Sequence, residues 1–161
     1  MGTHKIELSV DGTTHQCEAN SRKLLVHLLR DDLDITSTNI GCDTSQCGAC
    51  TISINNEIVK SCTILAVQAN GAEIETVASQ MSEDTLSIIQ QSFKEKHGLQ
   101  CGYCTPGMVM TTAELLKNDP NPTEEVIRES LHGNICRCTG YGNIIDAVTL
   151  ASEKIREGAS I

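Results

Sequence analysis

Near the N-terminus, apolar and polar positions alternate from Lys5 to Val10, with Ile6, Leu8 and Val10 on one face. That period predicts a strand buried on one side. Asp11-Gly12 follows as a two-residue hairpin turn, so the return strand pairs Val10 with Thr13, Leu8 with His15 and Ile6 with Cys17. Cys17 then lies on the buried face, where a free thiol behaves as a small hydrophobe. Asn20 or Ser21 is expected to cap a short helix through Asp31, whose Leu24, Leu25, Leu28 and Leu29 pack on this hairpin. A second hairpin is predicted over Thr51 to Ile54 and Glu57 to Lys60, turning at Asn55-Asn56. Its register sets Ile54 against Glu57, Ile52 against Val59 and Cys50 against Ser61.

Beyond Thr76 to Ser82, which carry little hydrophobic pattern, the period becomes helical. Ser82 is expected to cap a helix with Leu86, Ile89 and Phe93 on one face, ending near His97-Gly98. Thr105 as cap and Pro106 as first helical residue are expected to open a helix through Lys117 with Val109, Ala113 and Leu116 inward. Thr123, followed by Glu124 and Glu125 in the first turn, starts another that stops at Gly133-Asn134. Asn143 starts the last, with Ile144, Val148, Ala151 and Ile155 on one stripe. Strands followed by helices predict an α+β protein of two units, 1–78 and 79–161, with the join near Ala78 and four helices in the second unit.

Charge narrows the choice of partner. Twelve Lys and Arg against twenty-one Asp and Glu leave a net charge of −9, spread evenly along the chain. No basic face exists to track phosphates, and the three aromatics, Phe93, Tyr103 and Tyr141, form no stacking platform, so nucleic acid is excluded as a partner. The longest apolar runs, Leu24 to Leu29 and Met108 to Met110, fall far short of a membrane span. The first residues read as a strand rather than a secretory leader, and a cytoplasmic location is expected. His4, His15, His27, His97 and His132 are scattered, so no acid–base constellation emerges.

Nine cysteines change the picture most. An odd count in a chain without export signals argues against a disulfide framework and for metal or redox chemistry. Cys42-x4-Cys47-x2-Cys50, then eleven residues, then Cys62 has the plant-type [2Fe–2S] spacing. The eleven-residue spacer is the second hairpin, which returns Cys62 beside the other three. Gly41, Gly48 and Ala49 let the backbone bend close to sulfur. Cys101-x2-Cys104 and Cys136-x-Cys138 form a second quartet from two distant segments. Cys101-Gly-Tyr-Cys104 ahead of a helix also suits a thioredoxin-type dithiol, but no strand pattern leads into it, and Cys136 and Cys138 would then lack a purpose. Spacing alone does not separate zinc from iron–sulfur in this quartet. A helix beginning at Thr105 would turn its N-terminal amides toward an anionic core. Cys17 is left over as a core residue.

Three segments carry a resemblance: Gly41-Cys42-Asp43-Thr44-Ser45-Gln46-Cys47-Gly48-Ala49-Cys50, Gln100-Cys101-Gly102-Tyr103-Cys104-Thr105-Pro106-Gly107-Met108, and Gly133-Asn134-Ile135-Cys136-Arg137-Cys138-Thr139-Gly140-Tyr141. The chain resembles the small iron–sulfur subunits of the xanthine oxidase family of molybdenum hydroxylases, over nearly its whole length. Asp43-Thr44-Ser45, Val59-Lys60-Ser61-Cys62 and Ala66-Val67-Gln68-Ala69-Asn70-Gly71 look most like the subunits of aerobic carbon monoxide dehydrogenase and aldehyde-type dehydrogenases. Many relatives carry Gly in place of Ser45. The resemblance implies a plant-ferredoxin-like β-grasp domain and a four-helix domain, each with one [2Fe–2S] cluster. It also implies a large partner subunit with a molybdopterin-type molybdenum cofactor, a medium partner subunit with FAD, and a dimer of heterotrimers. Electrons would run from molybdenum through the helical-domain cluster and the ferredoxin-like cluster to flavin, with Gln100 and Cys138 at positions that approach the pterin. No substrate site is implied in this chain; carbon monoxide, an aldehyde and an N-heterocycle are the candidate substrates of the whole enzyme. A free-standing diffusible ferredoxin and a zinc-stabilised interaction module are the competing functions.

Overall fold

A computed structural model describes residues 2–81 and 87–158. Strand β1 (Thr3–Val10) and β2 (Thr13–Asn20) pair antiparallel in the expected register, Ile6 opposite Cys17 and Leu8 opposite His15. Asp11 and Gly12 both take positive φ, +49° and +80°, which matches the right-handed twist of the two strands. The second hairpin, β3 (Thr51–Ile54) and β4 (Glu57–Lys60), also follows the predicted register, and Asn55 and Asn56 make the same left-handed turn at +51° and +67°.

A short strand unread in the sequence, β5 (Glu73–Glu75), joins the hairpins by pairing parallel with β1 and antiparallel with β3. The result is one mixed sheet in the order β2-β1-β5-β3-β4. With three residues and a single buried Ile74, β5 is too short for its alternation to stand out.

The helix predicted from Asn20 or Ser21 starts later. Asn20 is the last residue of β2, and its side chain accepts from the Arg22 amide at 3.1 Å, stabilising a turn instead of a helix. Helix α1 (Leu25–His27) begins after Leu24 and passes into a π-helical turn over Leu28–Asp32. Leu25, Leu28 and Leu29 are fully buried against Ile6, Leu8, Ile52, Ala66 and Ile74, forming the first core. Each buried Leu contributes about 1.5–3 kcal/mol. Cys17 is only half-buried: β2 is the edge strand, and its outer margin opens onto a shallow cavity with Lys5, Gln16, Glu18 and Asn70.

The second core is helical. Helix α2 (Ile88–Glu95) is capped by Ser87, whose hydroxyl accepts from Gln90 N while Gln90 returns to the Ser87 amide. The Ser82 cap and Leu86 lie outside the described residues. Helices α3 (Thr105–Asn118), α4 (Glu124–Ser130) and α5 (Gly142–Arg156) follow; Thr105 is the first residue of α3 rather than its cap, a position held one residue earlier by Cys104, whose backbone is already helical. Thr123 caps α4 as expected, its hydroxyl accepting from Val126 N. Ile89, Phe93, Met108, Val109, Leu116, Ile144 and Val148 fill this core. Thr76, at the end of β5, is tied to the first hairpin by the Asp11 carboxylate, which accepts from its amide and its hydroxyl at 2.7 Å each. Among the described residues no helix is long and apolar enough to cross a membrane.

Candidate metal centres

The sheet and α3 bring the first quartet to one edge. Cys42 and Cys47 sit in the loop before β3, Cys50 is the residue before it, and Cys62 lies in the 3-10 turn Ser61–Thr63 after β4. Ser61 donates from both its amide and its hydroxyl to the Cys50 carbonyl, at 3.2 and 2.8 Å, which continues the hairpin and sets Cys62 beside Cys50. Gly41 is required by close approach: a Cβ there would stand 3.0 Å from the Cys47 sulfur.

The second quartet is built at helix ends. Cys101 and Cys104 precede α3, and Cys136 and Cys138 follow the 3-10 turn Leu131–Gly133. The Cys138 and Cys101 sulfurs are 3.6 Å apart, both exposed. Cys136 is buried, and its sulfur accepts from the hydroxyl and the amide of Thr139, at 3.1 and 3.4 Å. Gln100 is exposed, directly before Cys101.

In both places the sulfurs associate in pairs. Cys42 interacts with Cys47, Cys50 with Cys62, Cys104 with Cys136 and Cys101 with Cys138. No three His, Cys, Asp or Glu side chains among the described residues converge as a single metal ion requires. Two pairs per quartet suit a two-iron core, in which each iron takes two thiolates. A further sign of fit is Thr105, the first residue of α3: among the described residues its hydroxyl is the buried side-chain polar atom without a partner. A hydroxyl left open next to Cys104 would be free to donate to a group held there.

Thiol acidities differ across the quartets. Amide hydrogen bonds from Cys47 and Thr44 bring Cys42 down to about 6. Burial, with Cys62 alongside, pushes Cys50 up to about 11, and burial beside Cys136 pushes Cys104 up to about 12. Burial also raises Cys47 and Cys17, while the Cys101 side chain raises Cys138. Burial works against ionisation of Cys136, yet hydrogen bonds from the Thr139 hydroxyl and amide, the Cys138 amide and the Cys104 thiol together outweigh it and the thiol is lowered. Metal coordination deprotonates all such groups.

The two centres are fastened to each other. The Ile135 amide, one residue before Cys136, donates to the Cys47 carbonyl at 2.8 Å. Beside it the buried Asn134 donates from its side chain to the Gly48 carbonyl at 3.1 Å and accepts from the Thr111 hydroxyl at 3.0 Å. Gly48 has φ +71°, and a Cβ there would come within 2.3 Å of the Gly133 carbonyl; one on Gly107 would stand 2.1 Å from the Gly48 carbonyl. Tyr141, left-handed at φ +69°, accepts from the Cys136 amide and donates to the Asn134 carbonyl. Tyr103 donates its hydroxyl to the Ile40 carbonyl at 2.8 Å, and Asn39 donates to the Tyr103 carbonyl at 2.9 Å. The sequence reading missed the roles of Asn134, Thr139, Tyr103 and Tyr141. The available signal was scarcity: two of only three aromatics flank the second quartet.

Comparison with known proteins bears on this arrangement. A family model described as a [2Fe-2S] binding domain matches residues 73–149. The chain is 46% identical over 155 residues to caffeine dehydrogenase subunit gamma of Pseudomonas sp. (strain CBB1), covering 94% of this chain and 93% of that one. It belongs to the small iron–sulfur subunits of the xanthine oxidase family of molybdenum hydroxylases. The subunit is also 38% identical to the aldehyde oxidoreductase iron-sulfur-binding subunit PaoA of Escherichia coli (strain K12), over 94% of this chain and 72% of that one. Its fold matches the crystal structure of quinoline 2-oxidoreductase from Pseudomonas putida 86 with a TM-score of 0.92 at 40% identity, covering 98% of this chain and 99% of the matched one. The plant-ferredoxin-like and helical architecture expected from sequence is thus the family's, and the subunit is an electron-transfer component of an oxidoreductase. Both curated relatives are named as subunits of larger enzymes, one a subunit gamma and the other an iron-sulfur-binding subunit.

Proposed function

We propose that Cys42, Cys47, Cys50 and Cys62 ligate one [2Fe–2S] cluster, and that Cys101, Cys104, Cys136 and Cys138 ligate a second. Within each quartet the sulfur pairs would be the two-thiolate sets of the individual irons. When bound, the two centres supply single-electron storage in series between the molybdenum cofactor and the acceptor. The chain's own residues hold the thiolates, direct amides at sulfur and exclude water on the buried side. Gly41 and Gly48 keep room for the cysteine loop, and Gln100 with the exposed Cys138 forms the margin that approaches the pterin. The division at Ala78 separates the two cluster-bearing units, 1–78 and 79–161.

The partners are a large molybdenum-cofactor subunit and a medium FAD subunit, assembled as a dimer of heterotrimers in the cytoplasm. Of the three substrate classes, an N-heterocycle is favoured by similarity to the caffeine dehydrogenase subunit and to quinoline 2-oxidoreductase. The substrate pocket belongs to the large partner.

The observation that carries the reading is the association of eight cysteine sulfurs in four pairs, with the Ile135 amide on the Cys47 carbonyl tying the two cysteine regions together. Iron and acid-labile sulfide analysis of the intact complex should return two irons for each quartet. In electron paramagnetic resonance, Cys47→Ser or Cys50→Ser should disturb one signal, and Cys101→Ser or Cys136→Ser the other. Loss of a single signal in both sets, or a colourless zinc-bearing chain, would refute it.

A further inference from the structure

The loop between Cys42 and Cys47 contains a residue in a conformation that side chains disfavour. Ser45 has φ +60°, where glycine is the unstrained choice. Its surroundings hold it there: the Lys60 ammonium donates to the Ser45 carbonyl at 3.2 Å and to the Gln46 carbonyl at 3.3 Å. Lys60 is itself fixed at the end of β4, opposite Thr51. The same conformation carries the Ser45 hydroxyl to 3.7 Å from the Cys62 sulfur. Strain that is held by neighbours and coincides with a functional group is a reason to look for a role.

With a free thiol, Cys62 is the donor in this contact. A metal-bound thiolate has no proton to give, so the hydroxyl must turn and donate to sulfur. Hydrogen bonds to ligand sulfur withdraw negative charge from the core and favour its reduced state.

We propose that Ser45 tunes the reduction potential of the cluster on the first quartet, raising it through a hydroxyl donated to Cys62, with Lys60 as the positioning residue that holds the turn. The inference rests on Cys62 being a ligand, as assigned above. Reduction adds one electron, taken in the enzyme from the helical-side centre, which is oxidised in the same step. No bond is made or broken, and Ser45 keeps its proton. Raising this potential makes transfer toward the first quartet more favourable.

The test is a dithionite redox titration of the intact complex followed by electron paramagnetic resonance, with the second cluster as internal reference. Ser45→Gly accepts the backbone conformation and removes only the hydroxyl. It should lower the first midpoint by about threefold to tenfold in the one-electron equilibrium, tenfold being ~59 mV, without lowering thermal stability. Ser45→Ala should shift the potential equally while also losing stability. Lys60→Met should lower the same midpoint and Lys60→Arg restore it. Should Ser45→Ala fail to assemble, Ser45→Gly decides alone, because it keeps both the backbone conformation and the Lys60 charge. First-cluster signals present with midpoints unmoved in the variants would overturn the proposal. Absence of the first-cluster signal from the unmodified complex would instead overturn the ligand assignment, and the proposal with it.

Discussion

Replacing Gly48 by alanine tests whether the contact between the two cysteine loops is a rigid junction. The perturbation has two parts. Any side chain at φ +71° costs about 1 kcal/mol relative to glycine. The added methyl would also stand 2.3 Å from the Gly133 carbonyl, 2.8 Å from the Asn134 side-chain nitrogen and 3.0 Å from the Asn134 Cα. Since two of these atoms are backbone, relief requires the Cys47–Cys50 segment to move away from residues 133–136. That movement breaks the Ile135 and Asn134 hydrogen bonds, each worth about 1 kcal/mol, and adds about 1 kcal/mol of overpacking. The sum is about 4 kcal/mol. Gly71 supplies the control, because it has φ +78° with nothing within 4 Å of the added methyl, so Gly71→Ala should cost only the backbone part. For a chain of this length each kcal/mol lowers the melting temperature by roughly 2–4 °C. Thermal melts of the iron-loaded chain should therefore fall by ~3 °C for Gly71→Ala and by ~12 °C for Gly48→Ala. Equal falls in the two variants would refute the idea of a rigid junction.

Two further outcomes follow from the sulfur environments. Thr139→Val removes the hydroxyl that donates to Cys136 at 3.1 Å, so the midpoint of the second cluster should fall while the first stays put, as read by potentiometric titration. In the chain freed of iron by a chelator, Cys42, brought down to about 6, is roughly nine-tenths thiolate at pH 7, and Cys50, pushed up to about 11, is almost wholly protonated. Mass-resolved alkylation should label Cys42 first, with a midpoint near pH 6. By linkage, the contribution of the lowered Cys42 to folding is complete above its ordinary value of 9 and is lost as pH falls through 6. Labelling of Cys50 ahead of Cys42 at neutral pH would contradict these assignments.

Much of the architecture is encoded within short stretches of chain. Alternation and turn residues determined both hairpins to the register, because a one-residue slip would turn Ile6, Leu8 and Val10 to solvent. Cysteine spacing predicts which thiols belong together, and the structure agrees as far as local contacts go: Cys42 meets Cys47 in one loop and the β3–β4 hairpin brings Cys62 back beside Cys50. Caps are also local, which is why Thr123 was legible. Ser87 went unread because Ser82, five residues earlier, offered an equally good start. Strand β5 could not be read because its three residues have no signature apart from the two strands they join.

Other features exist only once distant segments meet. The Cys101–Cys138 and Cys104–Cys136 pairings depend on how α3 and the Leu131–Gly133 turn dock, since more than thirty residues separate the partners. So do the Asn134 hydrogen bond to Gly48 across 86 residues and the Ile135 amide on the Cys47 carbonyl. Sequence determined that this chain carries two cysteine quartets on two kinds of scaffold, because turns, alternation and ligand spacing are encoded within a few residues. How the quartets are joined, and which hydroxyls and amides reach their sulfurs, was decided by the packing of the helical unit on the sheet, where close approach at Gly48 and Gly107 depends on residues far along the chain.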